Sequence, residues 1–99
     1  MFASMPTIGP KYVTENVDRQ RFELVEEGLT AFADYYWRGE LMVIPHVESP
    51  HALRGKGTAG RLLEGVAATA RERGLKLLPT CSYAALWFRR RPEWSDVLA

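Results

Sequence analysis

A single cysteine, Cys81, stands in 99 residues, so neither an intramolecular disulfide nor a cysteine-based metal cluster can form. The two histidines, His46 and His51, are too few for a zinc site of common spacing, and no metal is expected. No apolar run is long enough to cross a bilayer, and the opening MFASMPTIGPKYV lacks the charged-then-apolar layout of a secretory signal. A cytoplasmic protein without a membrane partner is the expectation. Charge of one sign is lacking too: 13 Lys and Arg against 12 Asp and Glu leave a formal net charge of +1, which argues against nucleic acid as a partner. There is no internal repeat and no linker.

What is present has the balance of an ordinary globular domain, 46% hydrophobic and 25% charged. A chain of this length buries roughly 60 to 70% of its unfolded surface, enough for one core. Pro6, Gly9 and Pro10 mark residues 1–12 as a flexible leader, which leaves 13–99 as a single domain. From Arg21 the pattern has period two, with Phe22 and Leu24 alternating with Arg21 and Glu23. Glu27-Gly28 is expected to turn the chain into a second strand over 29–37, and Arg38-Gly39 into a third over 40–48. Strict alternation puts Leu41, Val43 and Val47 on one face of the third strand and Met42, Ile44, His46 and Glu48 on the other. Pro45 removes a ladder donor, so the strand should be irregular or bulged there, or unpaired along one side.

After Ser49-Pro50-His51, Ala59, Leu62, Leu63, Val66, Ala67 and Ala70 recur at three- and four-residue spacing, which predicts an amphipathic helix stopped by Gly74. Residues 75–79 form a short apolar strand suited to enter parallel to the third. A last helix is expected over 83–91, capped by Ser82 and ended by Pro92. The order is β-β-β-α-β-α, an α/β fold.

The helix is entered through ALRGKGTAGRLL, residues 52–63, which contains three superimposed phosphate-loop spellings. A Walker loop needs Gly-Lys-Ser/Thr, and here Lys56 lies on the wrong side of Gly57. Gly55, Gly57 and Gly60 spell a dinucleotide fingerprint, but the preceding strands form an antiparallel meander, and residues 77–82, about 20 positions on, contain no acid for a ribose. The third spelling, Arg54-x-x-Gly57-x-Ala59, is an acyl-CoA pyrophosphate loop, and its context is satisfied. It follows an irregular strand and precedes a long helix, whose first N–H groups have no intrahelical partner and carry the positive end of the dipole.

On these residues the chain resembles the GNAT superfamily of acyl-CoA N-acyltransferases, and more closely its very small single-domain branch. The matching segments are His46-x-Glu48, Leu53-Arg54-Gly55-x-Gly57-x-Ala59, Ala70-Arg71-x-x-Gly74-x-Lys76, Pro79-x-Cys81-x-Tyr83 and Pro92-Glu93-Trp94-x-x-Val97-Leu98. Two positions depart from that branch: Arg91 stands where a histidine is usual, and Pro45 where a polar residue is. The resemblance implies a compact GNAT-like fold that binds acetyl-CoA and passes its acetyl group directly to an amine. The implied coenzyme contacts are Val47 on the strand and Arg54, Gly55, Lys56, Gly57, Thr58, Ala59 and Gly60 in the loop and first helical turn.

Acetyl transfer needs a neutral amine and a route for its proton. Glu48 and His46, two apart on one strand, point to the same side and are the candidate relay. Cys81, just past the last strand, is the third candidate for the site, either lining the acetyl pocket or carrying the acetyl group. Arg54, Lys56 and Arg61 are the phosphate cations. Arg89, Arg90 and Arg91 read as an exposed helix end complementing the dipole, Trp87, Phe88 and Trp94 as core, and Tyr35, Tyr36 and Trp37 as a rim. Two other readings remain open: a non-catalytic acyl-CoA-binding module acting with a protein partner, and a small nucleic-acid-binding protein using the three arginines.

Overall fold

The computed structural model describes residues 12–99, so all of the expected leader except Tyr12 lies outside the described residues. The chain runs β1 (Thr14–Asn16), β2 (Arg21–Glu26), β3 (Leu29–Arg38), β4 (Leu41–Glu48), a 3₁₀ turn (His51–Leu53), α1 (Thr58–Arg73), β5 (Lys76–Pro79), α2 (Ser82–Arg89) and a 3₁₀ helix (Pro92–Val97). The expected β-β-β-α-β-α order is present as β2 to α2. Strand β1 and the two 3₁₀ segments are additions, each only three to six residues long and without a hydrophobic period of its own. One five-stranded sheet has the order β1-β2-β3-β4-β5; β4 and β5 are parallel and the other neighbours antiparallel.

The β2–β3 hairpin closes through Glu27 and Gly28, which both take positive φ, 53° and 76°. Two positive-φ residues between strands make a turn whose twist matches that of the strands. The β3–β4 turn is Gly39-Glu40, one residue later than Arg38-Gly39: Arg38 pairs with Leu41, and Gly39 supplies the φ of 59°.

Pro45 does produce the irregularity. Asp34 pairs with His46 and Tyr36 with Val43, so Tyr35 alone faces both Ile44 and Pro45. The extra residue shifts the side-chain phase of β4, and strict alternation is overturned. Val47 pairs with Ala33 and so joins Met42 and Ile44 on the helix-covered face, whereas His46 and Glu48 pair with Asp34 and Phe32 on the opposite face.

Helix α1 packs on β2 and β3, burying Leu62, Leu63, Val66, Ala67 and Ala70 against Phe22, Leu24, Ala31 and Ala33. The two alanines on β3 leave room for the helix's leucines. Tyr35, expected at a rim, belongs to this core at 5% exposure, and its hydroxyl donates to Glu15 of β1. Burial, followed by the Glu15 carboxylate, pushes the Tyr35 phenol up to about 12. Tyr36 and Trp37 are exposed.

The last helix ends at Arg89, two residues early, because the chain tightens there: Arg91 N–H donates to Phe88 O at 3.0 Å, ahead of Pro92. Its cap position is Cys81, not Ser82, with no side-chain capping bond. Trp87 and Phe88 are core, as expected, their rings edge to face at 4.9 Å. Past the 3₁₀ helix, Leu98 bridges Leu77 and Ala99 N–H donates to Leu77 O at 2.9 Å, covering the outer edge of β5.

Candidate functional site

The site begins where β4 and β5 part. Their pairing ends at Ile44 opposite Pro79, and the Ile44 carbonyl accepts both Thr80 N–H at 3.0 Å and Cys81 N–H at 3.2 Å. These two bonds turn the chain away into α2. Strand β4 continues for His46, Val47 and Glu48, paired with β3 only. The result is a wedge between the end of β4 and the start of α2.

A cleft of about 530 Å³ fills that wedge, with His46, Val47 and Glu48 on one side, Tyr83 of α2 on the other, and Arg54 and Ala59 at the far end. A second, of about 340 Å³, adjoins it across Ser49, Arg54, Ala59 and Tyr83 and reaches Gly55, Gly57 and Thr58. A third, of about 290 Å³, continues past Gly57 and Tyr83 to Gly60, Arg61, Trp87 and Arg91. Together they trace a path from the His46–Glu48 pair, past the start of α1, to the gap between α1 and α2.

The loop that lines this path is locally determined. Leu53 is buried at 1% exposure and anchors the 3₁₀ turn; Arg54 N–H donates to His51 O at 3.1 Å and Lys56 N–H to Leu53 O at 3.2 Å. Gly55 and Gly57 take φ of 79° and 80°, where a side chain is strained. At Gly57 a Cβ would also lie 3.0 Å from Arg61 Nη1. The first α1 bond is Arg61 N–H to Gly57 O at 3.1 Å. The amides of Thr58, Ala59 and Gly60 precede it, and no side chain caps them.

The three loop cations separate into different roles. Arg61 is bound by Glu26 of β2, with Nε at 2.7 Å and Nη2 at 2.9 Å, and Thr58 Oγ1 donates to the same carboxylate at 2.6 Å. Hydrogen bonds from Arg61 first, then Thr58, lower the Glu26 carboxyl to about 2. Lys56 reaches Glu27 at 3.0 Å in an exposed pair. Arg54 makes no ion pair among the described residues, and it alone of the three lines both of the first two clefts. Glu26 does not stand out in the sequence, because its partners are 32 and 35 positions away and no local pattern joins them. Its position at the end of β2, beside the hairpin turn, is the only signal available.

His46 and Glu48 are brought together as expected: Nε2 and Oε1 are 2.9 Å apart, both side chains half-exposed, with the Phe32 ring 6.0 Å from the imidazole. Cys81 is not brought to them. It packs against the hydrophobic core at the point where β5 leaves the sheet and is absent from the cleft walls. Of the three arginines, Arg89 and Arg90 are exposed, while the Arg91 guanidinium lies 4.4 Å over the Trp87 ring and donates to Trp87 O at 3.3 Å.

Two buried polar atoms along the path have no protein partner: Ser49 Oγ and Trp87 Nε1. Each side chain lines one or more of the clefts. No helix among the described residues is long and apolar enough to cross a membrane.

Comparison with solved structures gives an NMR solution structure of a GCN5-like candidate N-acetyltransferase from Staphylococcus aureus, at a TM-score of 0.64 and 22% identity, covering 88% of this chain and 86% of that one. At that identity the likeness establishes a shared fold. The family model for GCN5-related N-acetyltransferases matches residues 21–97, from the first residue of β2 to the end of the C-terminal 3₁₀ helix. With strands β2 to β5, this wedge and this glycine loop all inside the match, the chain belongs to the GCN5-related N-acetyltransferase family.

Proposed function

We propose that the chain binds acetyl-CoA along this path and transfers the acetyl group directly to an amine. The observation that carries the reading is the uncapped start of α1, which opens onto a cleft that ends at the His46–Glu48 pair. A pyrophosphate on the amides of Thr58, Ala59 and Gly60 meets the positive end of a 16-residue helix, and Arg54 supplies a free guanidinium beside it. Glycine at 57 keeps the approach to the main chain open.

With the pyrophosphate held there, the pantetheine arm runs along the β5-facing side of His46, Val47 and Glu48, where β4 has no strand neighbour. The thioester then lies in the wedge, beside His46 and Glu48. The acceptor nitrogen attacks the thioester carbonyl, a C–N bond forms, the C–S bond breaks, and the CoA thiolate leaves with the electron pair. His46 accepts the amine's proton, directly or through water, and Glu48 holds the imidazole by its 2.9 Å contact. The reading supplies no covalent step at Cys81, whose side chain packs toward the core.

Calorimetric titration with acetyl-CoA, CoA and NAD tests binding. Saturation by both CoA species and not by NAD is expected, and no response to either at millimolar concentration sinks the reading. Release of free CoA with a panel of amines then separates an enzyme from a binding module. Intact mass after rapid quenching is expected to show no acetyl adduct on the protein; an adduct abolished by Cys81→Ala would replace direct transfer with a covalent route.

A further inference from the structure

The third cleft meets the pyrophosphate site only at Gly57 and Gly60, and on its α2 side it contains a buried donor with nothing to donate to. Trp87 is 5% exposed, and its Nε1–H has no partner. A buried, unmade hydrogen bond costs stability, so an orphaned donor at a cleft wall points to a ligand atom as its acceptor. The donor lies against the first turn of α1: a Cβ built on Gly60 would sit 3.3 Å from Nε1. Glycine at 60 therefore keeps the space in front of the indole N–H clear.

Two guanidinium groups and one carboxylate share this cleft. Arg61 is neutralised by Glu26 at 2.7 Å and also feels Glu64. Arg91 has no carboxylate partner among the described residues; its guanidinium is held over the Trp87 ring at 4.4 Å and tied to Trp87 O at 3.3 Å. Trp87 Nε1–H and Arg91 thus form one preorganised pair of donors with uncompensated positive charge, and Glu64 lies on the same wall as Arg61. That combination selects an anionic group on the α2 side of the cleft.

We infer that Trp87 and Arg91 take the 3′-phosphate of coenzyme A, making this chain selective for CoA over 3′-dephospho-CoA. The inference rests on the acetyl-CoA reading. With two of the coenzyme's three phosphates on the α1 amides, the third is carried by the adjoining ribose. The cleft sharing Gly57 with the pyrophosphate site is the adjacent space that holds an unused donor and an unpaired arginine. The Arg91 guanidinium is charged throughout the physiological pH range.

Calorimetry with CoA and 3′-dephospho-CoA on the full chain and on Trp87→Phe and Arg91→Gln tests this. The expected result is about tenfold tighter binding of CoA by the parent protein, from charge-assisted hydrogen bonds. Each variant should remove most of that preference while leaving 3′-dephospho-CoA affinity unchanged. In a ¹⁵N–¹H spectrum, the indole resonance absent from Trp87→Phe should move on adding CoA and stay in place with 3′-dephospho-CoA. Equal affinity of the parent for both ligands overturns the inference and leaves the acetyl-CoA reading intact. Variants that weaken both ligands equally also overturn it, since they would show a purely structural role. Binding of neither ligand sinks both readings. Arg91→Gln alters an arginine outside the hydrophobic core, so it decides the matter even if Trp87→Phe fails to fold.

Discussion

The two ends of α1 are built from similar parts and finished in opposite ways. At the C-terminal end Gly74, at φ 70°, closes a cap in which Gly74 N–H donates to Arg71 O at 3.3 Å and Leu75 N–H to Ala70 O at 2.8 Å. Arg71 grips Asp96 at 2.8 and 2.5 Å and stacks 4.2 Å over Trp94; Arg73 reaches Glu15 at 2.7 Å; Lys76 donates to Asp96 O at 2.5 Å. At the N-terminal end Gly57, at φ 80°, opens the helix with no side-chain cap, and Ser49 Oγ and Trp87 Nε1 nearby are unpartnered. One end has its polar groups satisfied by the protein's own chain. The other leaves polar groups unpaired beside a cleft, and that asymmetry, rather than glycine content, distinguishes the two ends.

Five substitutions break or sharpen this contrast, in descending order of effect. His46→Gln should lower turnover about 100-fold by removing the proposed proton acceptor, while calorimetric affinity for acetyl-CoA stays within a factor of two. A matching fall in affinity would make His46 a binding residue instead.

Next come the two glycines. Gly57→Val and Gly74→Val each force a branched side chain to positive φ, and each should cost about 1 to 2 kcal/mol in urea unfolding. Only Gly57→Val should also abolish CoA binding, because its side chain would crowd Arg61 and the proposed pyrophosphate site at the helix start. Loss of binding in the folded Gly74→Val protein would erase the distinction between the ends.

Glu26→Gln acts on the link between β2 and the open end. The Glu26 carboxyl is lowered from 4.5 to about 2 by Arg61 and then Thr58. A depressed folded-state pKa contributes stability that is fully present above the ordinary carboxylate range and is lost as pH falls toward 2. Urea midpoints for the parent and Glu26→Gln should differ at pH 7 and converge between pH 5 and 2. A gap that is constant across that window would show that charge on Glu26 is not what matters.

The smallest effect belongs to Arg71→Gln at the closed end. Its pair with Asp96 is exposed, so the melting temperature should fall slightly, and the difference should shrink in high salt. CoA affinity should not change.

Much of the fold is readable along the chain because its signals are local. The alternation of Phe22 and Leu24, the Glu27-Gly28 turn and the three- and four-residue spacing from Ala59 to Ala70 each determine their element from neighbouring residues. Pro45 is equally local as a break in the ladder, since a missing N–H acts where it stands. Its consequence is not local: the bulge changes the face of every later residue on β4, which is why Val47 turns inward and His46 and Glu48 turn outward. Short β1 and the terminal 3₁₀ helix form against partners already in place, Glu15 under Tyr35 and Asp96 under Arg71, and have no period to betray them.

The site divides in the same way. By itself the sequence determined the glycine loop, its helix and the His46–Glu48 spacing, because main-chain conformation and the two-residue strand repeat are short-range properties. Only the tertiary structure decided which donors remain unsatisfied. Glu26 reaches across from β2 to consume Arg61, Cys81 is drawn to the core, and Trp87 aims its N–H at Gly60. Whether a polar group is free for a ligand depends on every other group that packing brings within hydrogen-bond reach, and those groups come from distant parts of the chain.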